Sequence, residues 1–186
     1  MKIRRKTVLN ILLIGFVLSF FVTPLGQYSK VLLMQLFAFS PSVIDAEDRE
    51  RIASYDWKLK DDQWNFINFR EAEGRVVILN FWASWRLPCL PEMRSLQALY
   101  EDYGDRVAFY VITDEEREPV EEFMSEYGFT IPVTYLIIGE QAPVDTSEPP
   151  RSYLIDRDGY IVVAEKGISD WDSSPVRNVL EELLAR

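Results

Sequence analysis

Histidine is absent from this 186-residue sequence, and cysteine occurs once, at Cys89. The absence of histidine excludes catalysis of the Ser-His-Asp and Cys-His types, together with histidine-ligated zinc and iron. The single cysteine excludes a disulfide within the chain and any cysteine-rich metal site. Redox chemistry is therefore limited to one thiol or to a disulfide with another molecule, and we expect neither a metal nor another cofactor.

Acidic residues are missing from the first 44 positions, which carry five cations: Lys2, Arg4, Arg5, Lys6 and Lys30. Because the whole chain has a formal net charge of -10, the remainder carries -15. Such an acidic body repels nucleic-acid phosphates, so we expect no nucleic-acid binding. Hydrophobic residues make up 48% of the chain, which is enough for the core of one folded domain.

The amino-terminal segment places basic residues before an apolar run over residues 8–22, interrupted only by Asn10 and Ser19. The run is slightly short of the ~20 residues of a comfortable membrane span, but residues 23–25 extend it. The basic flank predicts that this end stays in the cytoplasm and that the body lies on the extracytoplasmic (periplasmic) side. Since no small-x-small cleavage site directly follows, we predict an uncleaved signal anchor over residues 1–26, with a cleaved signal peptide as the alternative.

A second apolar stretch covers residues 31–39 and is too short to span a membrane. It fits an interfacial helix, a juxtamembrane stalk or a segment packed on the folded domain, and these alternatives stay open. The sequence then becomes polar and acidic, as in a linker. We therefore predict a stalk and linker over residues 27–54 and a folded domain over residues 55–186.

The body of the chain alternates strand-like and helical patterns. Strand-like segments, including two hairpins, cover residues 57–69, 75–82, 107–113, 131–138 and 152–166. Amphipathic helical patterns cover residues 88–103, 116–127 and 174–186. This alternation, closed by a hairpin and a helix, predicts an α/β fold: a three-layer α/β/α sandwich with a central sheet.

Three residues suit helix ends. Gly104 and Gly128 follow helical segments and are predicted to end them in the left-handed conformation that glycine adopts readily. Ser174 stands before Pro175 and an amphipathic run, which predicts it as the N-cap of the last helix.

The stretch FWASWRLPCLPEM, residues 81–93, leads from a buried strand into a helix. It carries Trp85, Pro88 and Cys89 at the junction, which is the layout of a thiol-redox site at a helix amino terminus. A cysteine pair of the Cys-x-x-Cys type would need its first sulfur at residue 86, where the chain has Arg86.

Together with PPRSYLIDRDGYIV, residues 149–162, and the single predicted anchor, this stretch resembles the thioredoxin-like fold. More narrowly, it is similar to the membrane-tethered TlpA/ResA branch of periplasmic thiol-disulfide oxidoreductases. The resemblance covers residues 57–186. It implies a thioredoxin-like sandwich with a mixed central sheet. It also implies thiol-disulfide exchange with protein or peptide partners at a membrane.

The resemblance implies a role for each matching residue. Cys89 occupies the second, resolving position, Pro88 precedes it and Trp85 flanks the site. Pro150 is the proline that this fold holds cis opposite the active site, where neighbouring backbone binds substrate. Pro149, which precedes it, lacks the N–H that family members usually present, so docking through that N–H is not expected.

Two functions are compatible with these residues. In the first, Cys89 is a monothiol nucleophile, and Arg86 with the helix terminus stabilises its thiolate. In the second, burial holds Cys89 as an unreactive thiol, and the protein is a redox-inactive binding or assembly module. That module would use the groove around Trp85, Arg86 and Pro150. Exposure of the Cys89 sulfur distinguishes the two.

Weaker alternatives are disfavoured by the residues themselves. A peroxidase site of the peroxiredoxin type pairs its cysteine with a threonine three residues earlier and a proline seven residues earlier, where this chain has Arg86 and Trp82. Asp61 and Asp62 could act as proton-relay groups, but their place between two strands favours a plain turn.

Overall fold

The computed structural model describes residues 5–185. The chain forms two compact units, Met1–Phe37 and Ala38–Arg186. Lys2 and Arg4, two of the cations behind the predicted membrane topology, lie outside the described residues.

The first unit contains helix α1, Arg5–Val22, and helix α2, Pro24–Leu36. Thr23 is the N-cap of α2, and its hydroxyl accepts a hydrogen bond from the Gly26 N–H at 3.2 Å. Within residues 5–185, no helix combines the length and the apolarity needed to cross a membrane.

The predicted stalk and linker over residues 27–54 is divided between the two units. Its first part belongs to α2, so the apolar stretch over residues 31–39 begins inside a helix. From residue 38 onward the chain belongs to the second unit. There the Ile44 N–H donates to the Val162 carbonyl at 2.8 Å. The sequence predicts that the folded domain starts at residue 55, whereas the second compact unit already begins at residue 38.

The second unit is built on a mixed sheet. Its strands are β1 (Lys58–Lys60), β2 (Phe66–Asn68), β3 (Val77–Phe81), β4 (Ala108–Thr113), β5 (Val133–Leu136), β6 (Arg151–Ile155) and β7 (Ile161–Lys166). In the described residues they follow the order β2-β1-β5-β4-β3-β6-β7. β3, β4 and β5 are parallel, and the other neighbouring pairs are antiparallel. The predicted succession of strands and the two hairpins are confirmed, although β5 is shorter than the apolar run that contains it.

Strand β3 is buried along its whole length, as its β-branched apolar run predicts. Leu79 belongs to a core cluster on one face of the sheet that includes Trp57 and Phe69, whose rings meet edge to face at 5.7 Å. On the other face, Asn80 contacts helix α3, Cys89–Tyr103. Strand β3 thus packs against side chains on both faces of the sheet, and the loop that follows it leads to the start of α3.

Two further helices follow, α4 (Arg117–Tyr127) and α5 (Ser174–Leu184). Gly128 ends α4 with φ +71°, so the predicted left-handed cap is confirmed there. The N-cap of α5 is Ser173 rather than Ser174, one residue before the prediction, because Ser174 already has helical geometry.

The prediction for Gly104 is wrong, since its φ is -56° and its conformation is right-handed helical. Its glycine identity has a steric reason instead. A Cβ atom at this position would lie 2.8 Å from both the Tyr100 carbonyl oxygen and the Tyr100 ring. The end of α3 therefore needs a residue without a side chain where the Tyr100 ring folds over it.

Candidate functional site

The loop between β3 and α3 is held at both ends by backbone hydrogen bonds. The Trp82 N–H donates to the Ile112 carbonyl of β4 at 3.0 Å. The Cys89 N–H donates to the Arg86 carbonyl at 2.9 Å, and α3 begins at Cys89 with Pro88 as its N-cap residue. The motif identified in the sequence therefore forms the expected junction of strand, turn and helix.

Cys89 is buried, with only 1% of its surface exposed. Burial raises the pKa of its thiol to about 12, and the charge of Glu92 also raises it. A hydrogen bond from the Ala83 backbone and the charge of Arg86 lower the pKa, but they do not offset burial. The thiol is protonated at neutral pH and is shielded from solvent, so Arg86 does not produce a thiolate here.

Trp85 and Arg86 form the outer part of the site. Trp85 is 73% exposed, which is unusually high for a side chain of this size. The Arg86 guanidinium lies 5.6 Å from the centre of the Trp85 ring, within the range of a cation–π contact. The two side chains present an aromatic face and a positive charge side by side.

The peptide bond between Pro149 and Pro150 is cis, as the resemblance implies. The pairing of Phe81 with Arg151 in β3 and β6 places Pro150 beside the point where the chain leaves β3. The Pro150 carbonyl accepts a hydrogen bond from the Gly167 N–H at 2.9 Å. The structure therefore brings the cis-proline segment to the same end of the sheet as the loop that precedes α3.

Glu148 connects this segment electrostatically to Arg86. A hydrogen bond from Lys166 lowers the pKa of Glu148, and the charges of Lys166 and Arg86 lower it further. Glu148 has φ +57°, a left-handed conformation uncommon for a residue with a side chain. Arg86 and the Glu148–Lys166 ion pair thus act on the same region around Pro150.

Glu92 lies behind Cys89, fully enclosed on helix α3. Its carboxyl group accepts hydrogen bonds from the Trp171 indole at 2.8 Å, the Ser152 hydroxyl at 3.0 Å and the Asn80 amide at 3.3 Å. Burial raises its pKa to about 8, although these three hydrogen bonds act in the opposite direction. The group therefore titrates near neutral pH inside the protein.

Sequence reasoning missed Glu92, although a signal was present. An acidic residue on the apolar face of α3, one turn before Leu96, is a departure from the amphipathic pattern and marks a buried polar group. The hydrogen bonds between Glu115 and Ser84, at 2.6 Å, had no comparable signal because the two residues are 31 positions apart.

Asp61 and Asp62 lie between strands β1 and β2. The Asp61 carboxylate accepts hydrogen bonds from the backbone of Gln63 and Asn65 at 2.9 and 2.8 Å. The favoured interpretation, a turn between two strands, is confirmed. Within residues 5–185, no three Cys, Asp or Glu side chains are grouped so that they could hold a metal ion.

The sequence matches a known protein family over most of its second unit. The model of the AhpC/TSA family matches residues 53–164, more than half of the sequence. The chain belongs to the AhpC/TSA family. The match covers β1 to β6 and all but the last two residues of β7.

Its relatives in this thioredoxin-like family include thiol-disulfide oxidoreductases. Thioredoxin-like protein YneN of Bacillus subtilis is 29% identical over 110 residues, 57% of this chain and 65% of YneN. Thiol-disulfide oxidoreductase ResA of Bacillus cereus is 30% identical over 123 residues, 63% of this chain and 68% of that protein. ResA of Bacillus anthracis is 32% identical over 102 residues, 52% of this chain and 57% of that protein. The chain thus spans less than two thirds of YneN and of the Bacillus anthracis ResA.

Solved structures agree on the fold. A secreted thiol-disulfide isomerase from Corynebacterium glutamicum superposes with a TM-score of 0.59 at 21% identity, covering 77% of this chain and 89% of that one. A thiol:disulfide interchange protein of the thioredoxin family from Chlorobium tepidum gives 0.56 at 19% identity, covering 76% and 99%. The predicted thioredoxin-like α/β fold and ResA-like family membership are therefore confirmed.

Proposed function

We propose that this ResA-like chain is a redox-inactive binding module that recognises a protein or peptide partner through Trp85, Arg86 and the Pro150 segment. The burial of Cys89, at 1% exposure, carries this proposal. Thiol-disulfide exchange begins with attack by an exposed thiolate. The position of the attacking sulfur holds Arg86, and the remaining thiol is neutral and enclosed.

The same rim is suited to recognition. A large, exposed aromatic side chain next to a guanidinium is the kind of pair that dominates binding energy at protein interfaces. Pro149 and Pro150 have no backbone N–H, and the Pro150 carbonyl is already bonded to Gly167. A partner therefore finds no backbone donor at these two residues, so side-chain contacts to Trp85 and Arg86 determine which partner binds.

A thiol titration tests the redox part of the proposal. The full chain in mild detergent is treated with an alkylating reagent across a series of pH values, with Cys89→Ser as the blank. We expect Cys89 to react only after denaturation, because the folded thiol is both buried and protonated. Rapid alkylation of the native protein at mildly acidic pH would favour the monothiol enzyme instead.

A peptide selection tests the binding part. A random peptide library is panned on the full chain, and the affinities of the enriched peptides are measured by fluorescence polarisation. We expect Trp85→Ala to weaken binding about ten-fold, the usual effect of losing an aromatic anchor. Phe66→Ala is the matched control, since Phe66 is 74% exposed on the edge strand β2. A selection in which no peptide depends on Trp85 would reject the proposal.

We also propose that the module works at the extracytoplasmic surface of a membrane. Support comes from α1, in which apolar side chains on all sides of the helix are exposed, for example Leu9, Leu12 and Phe16. Flotation of the full chain with lipid vesicles, compared with Leu12→Glu, measures the attachment, and protease accessibility in spheroplasts measures the side. A chain that stays in the aqueous fraction would contradict the attachment.

A further inference from the structure

The loop that carries Trp85 is attached to the turn between β4 and α4 through one carboxylate. Glu115 accepts two hydrogen bonds from Ser84, one on each oxygen: from the backbone N–H at 2.6 Å and from the hydroxyl at 2.6 Å. We propose that Glu115 is a positioning residue for the recognition surface formed by Trp85 and Arg86. It holds Ser84 in place, and the backbone at Ser84 sets the direction of the two side chains that follow. The inference rests on the proposed function and adds to it the residue that shapes the site.

Glu115 is itself held in place. The Thr113 hydroxyl donates to Glu115 Oε2 at 3.2 Å and accepts from the Glu115 N–H at 3.3 Å. Thr113 is buried at the end of β4, the strand that pairs with β3. The carboxylate is therefore fixed on the same sheet that delivers the chain to Ser84.

The geometry of the loop explains why this attachment matters. Trp82 is bonded to β4, and Cys89 begins α3, so the chain between them spans two fixed points. Trp85 is 73% exposed and receives little orientation from packing. Its direction depends on the backbone at Ser84, which Glu115 holds with two hydrogen bonds of the strong, charge-assisted kind.

Two pairs of variants isolate this effect. Glu115→Gln keeps the size of the side chain but removes its charge. The amide oxygen can still accept from the Ser84 N–H, and the Ser84 hydroxyl can turn to accept from the NH2 group, so both charge-assisted hydrogen bonds become weaker, neutral ones. Glu116→Gln is the matched control, because Glu116 is the adjacent acid, is exposed and makes no capping hydrogen bond with its side chain. Ser84→Ala removes the hydroxyl donor, and Ser84→Thr restores it.

The full chain in mild detergent provides two readouts that need no bound peptide. Hydrogen exchange of residues 83–87 is followed by mass spectrometry. The Trp85 resonance is followed by fluorine NMR in protein labelled with 5-fluorotryptophan and is assigned with Trp85→Phe. In Glu115→Gln and Ser84→Ala we expect loop exchange roughly ten-fold faster and a shifted Trp85 resonance, while Trp57 and Trp171 stay unmoved. Ser84→Thr and Glu116→Gln should resemble the unmodified protein.

Each other result counts against the positioning role. Loop exchange that is unchanged in Glu115→Gln would overturn it. Faster exchange with an unmoved Trp85 resonance would show that Glu115 stabilises the loop without orienting the surface, and would overturn it as well. An equal response in Glu116→Gln would attribute the effect to lost charge. By contrast, a failed peptide selection would reject the proposed function and leave both readouts as they are.

Discussion

The indole N–H of Trp171 donates to Glu92 Oε1 at 2.8 Å, inside the protein and directly behind the candidate site. Burial nevertheless raises the pKa of Glu92 to about 8, because the carboxylate loses its hydration and gains hydrogen bonds to neutral donors only. A carboxyl group that is protonated more readily when folded makes stability depend on pH.

The first prediction concerns this dependence. The folded-state pKa lies above the unfolded value of 4.5, so between about pH 4.5 and 8 the folded protein binds more protons than the unfolded chain. The contribution of Glu92 is therefore most favourable below this window and is lost as pH rises through it, at no more than about 1.4 kcal/mol per pH unit. Urea unfolding across the window measures the slope.

Glu92→Gln removes the titrating group and should flatten this part of the pH profile. The amide oxygen can still accept from Trp171, and Asn80 Oδ1, which is buried without a partner, offers an acceptor for the new NH2 group. Glu122→Gln, an exposed change on α4, is the control and should keep the slope. Identical profiles for the unmodified protein and Glu92→Gln would show that another group controls the dependence.

The second prediction concerns Gly104. Gly104→Ala should destabilise the protein by about 1–3 kcal/mol, the usual cost of forcing extra volume into a packed place, because its Cβ would lie 2.8 Å from Tyr100 atoms. Thermal unfolding measures the loss. Gly104→Ala with Tyr100→Ala tests the cause, since removal of the ring should recover part of the stability. A neutral Gly104→Ala would mean that the helix end shifts freely.

Local sequence patterns were sufficient to predict the strand, the loop and the helix that form the site. The apolar β-branched run of β3, the proline at the start of α3 and the amphipathic face of α3 are contiguous features, so the junction over residues 81–93 could be predicted. The cis bond at Pro150 followed from the resemblance. In each of these cases the determinants lie within a few residues of the feature.

Contacts between distant residues could not be predicted in this way. Glu92 meets Asn80, Ser152 and Trp171, which are 12, 60 and 79 positions away in the chain. The burial of Cys89 could not be predicted for the same reason, because it depends on which distant parts of the chain cover the start of α3. Gly104 shows the limit at short range: the close contact that a Cβ would make with Tyr100, four residues earlier, depends on where that ring lies at the end of the helix.

The third prediction separates recognition from thiol chemistry. Cys89→Ala should leave the affinity for Trp85-dependent peptides unchanged, because the enclosed thiol does not contact a partner at the surface. It should lower the free energy of unfolding by about 1 kcal/mol, as expected when a small buried group is lost. Fluorescence polarisation and urea unfolding measure the two quantities. Loss of binding in Cys89→Ala at full stability would assign the sulfur a direct role.

The fourth prediction restores the missing sulfur. Arg86→Cys places a second thiol three residues before Cys89, at the turn where the Cys89 N–H donates to the carbonyl of residue 86 at 2.9 Å. This turn brings the two α-carbons within the range that a disulfide requires. The new thiol replaces a half-buried side chain in the loop, near a helix amino terminus that favours its thiolate. We expect the variant to reduce insulin with dithiothreitol as the electron source, whereas the unmodified protein does not.

Controls for this variant identify which sulfur acts. Arg86→Ser removes the cation without adding a thiol and should stay inactive, which excludes an effect of the lost charge. Arg86→Cys combined with Cys89→Ser keeps the attacking thiol and removes the resolving one. It should therefore form a mixed disulfide with the substrate that persists on a non-reducing gel. If Arg86→Cys folds and remains inactive, the scaffold has lost more than one atom of the exchange site, and Pro149 beside the cis-proline is then the next residue to replace. Insulin reduction by the unmodified protein would instead show that one buried sulfur suffices.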